Sequence, residues 1–134
     1  MSAINAVMMA FLNAGDHAII SDVVYGGTYR LSTKIYSRFG VAFSFVDTSD
    51  AAAVRAAVKD NTRLIITETP ANPTLKLTDI AAVSEVAREF GIPHAVDNTF
   101  LTPYYQRPLE PVSYTHLRAH ETLMNLVCRL LLEK

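Results

Sequence analysis

Apolar positions Ile4, Val7, Met8, Phe11 and Leu12 recur at helical spacing near the start of the chain, with Gly15 following as a stop. The period then changes. His17-Ala18-Ile19-Ile20 is a continuous apolar run ending at Ser21-Asp22, which predicts a strand buried on both faces. Gly26 and Gly27 are expected to break the chain, and residues 28–39 have a helical pattern closed by Gly40. Residues 41–46 predict a second strand ending at Asp47. An alanine-rich helix over residues 50–58 follows, with Ser49 or Asp50 as its cap. Residues 63–68 predict a third strand. It runs into Thr69-Pro70-Ala71-Asn72-Pro73, where two prolines stop helix and ladder alike. The clearest helix is residues 79–90, with Ile80, Val83, Ala87 and Phe90 on one face and Gly91 at its end. A fourth strand, Ile92-Pro93-His94-Ala95-Val96, leads to Asp97.

Helices and strands thus alternate along the chain, and the strands are continuously apolar. That combination predicts an α/β fold with a mainly parallel sheet in an α/β/α sandwich. In such a sheet the carboxyl ends of the strands share one edge, where open α/β sheets bind their ligands. The distinctive polar groups all fall there: Asp22 to Tyr25, Asp47, Glu68 to Asn72, and Asp97 to Thr99. Asp97 in that position can pair with a protonated ring nitrogen, a metal or a ribose hydroxyl, or simply cap a loop. Tyr25 beside two glycines offers a flat ring for stacking on an aromatic group, or fills a turn. Asn72 between two prolines can donate to a ligand oxygen, or close an Asx-turn.

Composition narrows the partners. The chain has 134 residues, 50% of them hydrophobic, and a formal net charge of -1. This balance suits one domain core and argues against nucleic acid or a charged membrane surface as partner. No apolar run approaches the roughly 20 residues of a membrane span. The first residues lack the cationic start of a signal peptide. Cys128 is the only cysteine and has no internal disulfide partner, so a cytoplasmic setting is expected.

Tyr25-Gly26-Gly27-Thr28, Glu68-Thr69-Pro70-Ala71-Asn72-Pro73-Thr74 and Val96-Asp97-Asn98-Thr99-Phe100 together resemble three successive motifs of one family. It is the Cys/Met-metabolism family of pyridoxal-phosphate enzymes, which includes cystathionine γ-synthase, cystathionine γ-lyase, methionine γ-lyase and the homoserine sulfhydrylases. The likeness continues through residues 102–110 and into Met1-Ser2-Ala3-Ile4. It implies that residues 1–110 are part of the large, cofactor-binding domain of a fold-type I pyridoxal-phosphate enzyme. The cofactor implied is pyridoxal 5'-phosphate, and the substrate a small amino acid. The resemblance assigns Tyr25 to stacking on the cofactor ring, Asp97 to its ring nitrogen and Asn72 to its phenolic oxygen. It makes Met1 the second residue of a Gly-Met pair whose backbone N–H groups hold the phosphate at a helix start. Thr99 is assigned to supporting the Asp97 carboxylate.

The reaction implied is γ-elimination or γ-replacement on cystathionine, methionine or an O-acyl-homoserine, by an enzyme built as a homotetramer. Three family elements are not found among these residues: the glycine of the Gly-Met pair, an upstream Tyr-x-Arg arm, and the Ser-x-Thr-Lys segment whose lysine forms the Schiff base. Lys34, Lys59, Lys76 and Lys134 lie outside any such motif. The chain as it stands is therefore expected to be inactive, as a truncated product would be. A nucleotide-binding module is the rival class, but it calls for a Gly-x-Gly-x-x-Gly turn that Gly26-Gly27 do not supply.

Residues 111–134 depart from the family pattern. From Val112 onward they resemble the translation of a transposase-type sequencing adapter, with a short variable index at Leu123 to Asn125. On that reading His116 and His120, spaced like a helical metal pair, and Cys128, placed like a nucleophile, are coincidences of the adapter. Residues 126–132 are expected to form, at most, an accidental apolar helix.

Overall fold

The computed structural model describes residues 1–101 and 104–108, and the backbone alone of 115–117, 119–122 and 125–128. Four helical segments alternate with strands. Helix α1 (Ser2–Phe11) precedes β1 (His17–Ser21). Next come α2 (Gly26–Arg30), a π-helical turn (Leu31–Ile35) and a 3-10 turn (Tyr36–Phe39), which lead to β2 (Ala42–Val46). Then α3 (Ala51–Ala56) precedes β3 (Thr62–Glu68), and α4 (Ile80–Glu89) precedes β4 (His94–Asp97).

The described strands form a five-stranded sheet in the order β2-β1-β3-β4-β5, where β5 is Thr115–Leu117, and every pairing in it is parallel. Side chains alternate across it. Ala18, Ile20, Leu64, Ile66 and Ala95 point to one face, where α1 packs with Ile4, Val7 and Met8. Ile19 and Ile65 point to the other, against Val54 of α3 and Val83, Val86 and Ala87 of α4. The result is the expected α/β/α sandwich. Burying a side chain such as Val7 or Met8 completely contributes about 1.5–3 kcal/mol each, so the apolar stripe read along α1 is what docks it.

Helix ends follow local chemistry. The Asp50 and Asp79 side chains cap α3 and α4 by accepting from the Ala52 and Ala82 amides at 2.9 and 3.0 Å. Gly40 closes the 3-10 turn at φ +82°, the left-handed region where glycine meets no Cβ penalty.

Residues 28–39 are helical as expected, passing from α through π to 3-10 geometry before Gly40. Three expectations need correction. Gly26 and Gly27 do not break the chain: they open α2, because the first turn of a helix tolerates residues that its interior does not. Phe90 is not on the buried face of α4 but is its C-cap, 45% exposed, where the chain is already turning away. Residues 125–128 are not helical. They form β7 (Asn125–Cys128), antiparallel to β6 (Ala119–Thr122), so His116 and His120 sit on separate strands, without helical i, i+4 geometry. The remaining residues of the 126–132 expectation lie outside the described residues. Among the described residues, no helix is long and apolar enough to cross a membrane, and no cluster of three His, Cys, Asp or Glu could hold a metal ion.

Candidate active site

The chain leaves β1 outward to β2 along the α1 face, then returns past β1 to β3 and β4 by helices on the opposite face. The strand order therefore reverses between β1 and β3. That switch point is where an open α/β sheet leaves a crevice. A pocket of about 450 Å³ opens there, lined among others by Met1, Tyr25, Glu68, Asn72, Asp97 and Thr99. Its size is that of an ordinary small-molecule site.

Each residue is brought in by a different element. Tyr25 is the N-cap of α2, just past β1, and its ring stands 46% exposed over the pocket. Gly27 makes room for it. A Cβ at Gly27 would come within 2.5 Å of both the Tyr25 ring and the Met1 sulfur. These are movable side-chain atoms, so the fold can tolerate the methyl while the ring cannot keep its place. Gly27→Ala is expected to leave unfolding stability unchanged or slightly raised, since alanine favours a helix by up to about 1 kcal/mol. Affinity for an aromatic ligand should fall. Urea unfolding beside ligand titration by tyrosine fluorescence checks both, and unchanged affinity would discard the stacking role.

Asp97 ends β4, and Thr99 holds it. The Thr99 amide and hydroxyl donate to Asp97 Oδ1 at 3.1 and 2.5 Å. Among the described residues the side-chain hydrogen bonds to the Asp97 carboxylate fall on Oδ1, and Oδ2 accepts none of them. The next residue, Asn98, is buried and donates through Nδ2 to Gln106 Oε1 at 2.7 Å. Met1 is the N-cap of α1, so the unpaired N–H groups of the first helical turn lie beside the pocket.

Glu68 was legible as a strand-end acid but not as part of the working site. It is 6% exposed, and its two oxygens accept the backbone N–H groups of Tyr25 (2.8 Å) and Asn72 (2.7 Å). Burial pushes its pKa above the ordinary glutamate value. The two amide bonds pull the other way, and the nearby Asp97 charge adds to the rise. Partners that are backbone amides leave no trace in a sequence, which is why only the structure reveals this carboxylate's role.

Outside the pocket, Lys76 fastens the proline turn to the sheet edge. Its ammonium reaches Asp47 at 2.7 Å and Asp22 at 3.3 Å, beyond the ends of β2 and β1. The Lys76 hydrogen bond, helped by Ser49, holds the Asp47 carboxyl down at about 2, and Lys76 itself is raised chiefly by Asp47.

The residues present fit pyridoxal phosphate. A half-exposed ring sits beside a glycine with no space for a side chain, a carboxylate lining the pocket is held by Thr99 through one oxygen, and a helix start lies alongside.

Residues 1–112 match the model of the family described as Cys/Met metabolism PLP-dependent enzyme. A probable cystathionine gamma-synthase of Herpetosiphon aurantiacus is 56% identical over 105 residues, covering 78% of this chain and 33% of that protein. The cystathionine gamma-lyase of Bacillus subtilis (strain 168) is 51% identical over 109 residues, covering 81% of this chain and 28% of that protein. The crystal structure of cystathionine gamma-lyase from Lactobacillus plantarum complexed with L-serine superimposes with a TM-score of 0.85 at 44% identity, covering 88% of this chain and 31% of that one. The chain thus spans about a third of the length of these relatives. With the pocket at its switch point and a family model matched over most of its length, this chain belongs to the Cys/Met-metabolism family of pyridoxal-phosphate-dependent enzymes.

Proposed function

We propose that the pocket is the ring-binding half of a pyridoxal-phosphate site in a transsulfuration enzyme. The observation that carries this reading is the convergence of Tyr25, Asn72 and Asp97, from three strand ends, on one crevice. Tyr25 stacks on the ring. Asn72 hydrogen-bonds its phenolic oxygen, and Asp97 pairs with its protonated nitrogen. Thr99 keeps Asp97 aimed by occupying its other oxygen. The α1 start at Met1 takes part of the phosphate through backbone N–H groups and the positive end of the helix dipole. When bound, the cofactor supplies an electron sink to the amino-acid substrate. The chain's own part is to bind it, orient it and keep the ring nitrogen charged.

The parent enzyme acts on an amino-acid substrate by γ-elimination or γ-replacement, with cystathionine, methionine and O-acyl-homoserines as candidates. The synthase and lyase names of the relatives support that class. It works in the cytoplasm as a homotetramer. The reactive lysine comes from a Ser-x-Thr-Lys segment that these 134 residues do not contain, so this chain alone does not turn over substrate. Residues 1–110 are the partial cofactor domain and residues 111–134 an adapter-derived tail. The source codons of the tail test that boundary: codons that differ from the adapter would overturn it.

The cofactor assignment is tested by titrating the isotopically labelled chain with pyridoxal phosphate and following amide resonances. Shifts should concentrate at Tyr25, Asn72, Asp97, Thr99 and the start of α1. Shifts centred elsewhere, or none at millimolar cofactor, would overturn it.

A further inference from the structure

Glu68 occupies an expensive position. A carboxylate withdrawn from water is costly unless hydrogen bonds satisfy it. Among the described residues no Lys or Arg pairs with this one. The charge that acts on it is another acid, Asp97, aligned with it across β3 and β4. Asp22 and Lys76, the charges on the flanking loops, pair with each other. From β1 comes only the Ser21 hydroxyl, which accepts the Glu68 backbone N–H at 3.3 Å. Its satisfaction comes instead from two amides 43 and 4 residues away in sequence, those of Tyr25 and Asn72.

The choice of side chain has a chemical reason. An ionised carboxylate offers two acceptor oxygens in a planar fork. Glutamine in the same place offers one acceptor and one donor, and the donor would face an N–H. Only an acid can hold both loops at once. Hydrogen bonds to an ionised acceptor are also shorter and stronger than neutral ones. Fixing the Tyr25 and Asn72 backbones relative to each other fixes the origins of the two side chains assigned to the ring.

We propose that Glu68 is a positioning residue: one buried carboxylate clamps the loops after β1 and β3 and so sets the separation of Tyr25 and Asn72 across the pocket. The proposal rests on the reading of that pocket as the cofactor site. It is a single titratable clamp with two ends. When the carboxyl takes up a proton, the protonated oxygen becomes the poorer acceptor, and one end loosens.

Proton and nitrogen resonances of the Tyr25 and Asn72 amides in the labelled full chain test this, with no cofactor present. Both amides should follow one common titration, with a midpoint above the ordinary glutamate value of 4.5. Replacing Asp97 by Asn should move that midpoint down, because it removes the neighbouring negative charge. In Glu68→Gln, one of the two amides should lose about tenfold or more of its protection from hydrogen exchange while the other keeps its own. Glu68→Ala should expose both. Independent midpoints, or no titration at either amide, would overturn the clamp even if the variants fail to fold. So would a Glu68→Gln chain with both amides protected as before. These readings contain no cofactor, so they fail separately from the pocket assignment, which the pyridoxal phosphate titration of the unmutated chain decides.

Discussion

Asp97→Asn, placed in an enzyme that carries this segment together with its lysine, is expected to lower kcat/KM by about 100- to 1,000-fold while leaving the unfolding midpoint near wild type. Asparagine keeps the shape and an oxygen at the Oδ1 position, so the Thr99 amide and hydroxyl retain their acceptor. The β4 end should therefore hold its conformation. What disappears is the charge. A carboxylate beside a pyridinium in a poorly solvated site favours the charged ring by several kcal/mol, and each 1.4 kcal/mol or so is tenfold in rate. An amide instead leaves the ring nitrogen free to lose its proton. The steady-state rate should consequently gain a new fall with rising pH. Kinetics across pH, run beside urea unfolding, separates the two effects. A variant with wild-type turnover would show that another group charges the ring; one that unfolds would show that Asp97 is part of the scaffold.

The architecture was legible because the strands are buried on both faces. All five residues of β1 and six of the seven in β3 are buried, so their apolar runs are unbroken and stand apart from the helical period of α1 and α4. Strand β2 reads less cleanly, since as an edge strand it is only half-covered. The meeting of Tyr25, Asn72 and Asp97 was also legible, because parallel strands put their carboxyl ends on one side whatever their order. The order itself was not. Nothing in residues 17–97 says that β2 lies outside β1, yet that reversal creates the crevice. Gly27 was misread for a related reason: glycine usually ends an element, whereas here it is needed for the space its missing Cβ leaves beside the Tyr25 ring. Glu68 stayed hidden because its partners are main-chain groups.

His94 should make this fold acid-sensitive well above the carboxylate range. Its ring is 1% exposed, and burial holds it neutral, with its pKa pulled down to about 3. The hydrogen bonds fix the tautomer. Ser84 Oγ spends its proton on the Ile80 carbonyl (2.6 Å), so His94 Nδ1–H donates to Ser84 Oγ at 2.9 Å. His94 Nε2 then accepts from the Thr67 hydroxyl, also at 2.9 Å. Both ring nitrogens are satisfied only while the imidazole is neutral. The unfolded chain takes up its proton near the ordinary 6.5, so the stabilisation is complete above that pH and is lost as pH falls from 6.5 toward about 3. The loss approaches 1.4 kcal/mol or so per pH unit, hence about 3 kcal/mol two units below the ordinary value. His17, lowered by burial and then by Lys59, adds to it with the same sign. Glu68, raised by burial, opposes it: its contribution is present below 4.5 and fades as pH rises through its folded value. Asp47 acts only below 3.8. Comparison with His94→Phe cancels these other groups. At neutral pH the variant should be less stable by about 1–3 kcal/mol, because the fully buried Thr67 hydroxyl loses its partner while Ser84 keeps Ile80. As pH falls the two stability curves should converge and then cross, the variant having no ring to protonate. Urea unfolding at a series of pH values gives both curves. Curves that stay parallel from neutral pH down to the carboxylate range would mean that His94 takes up its proton within the native fold.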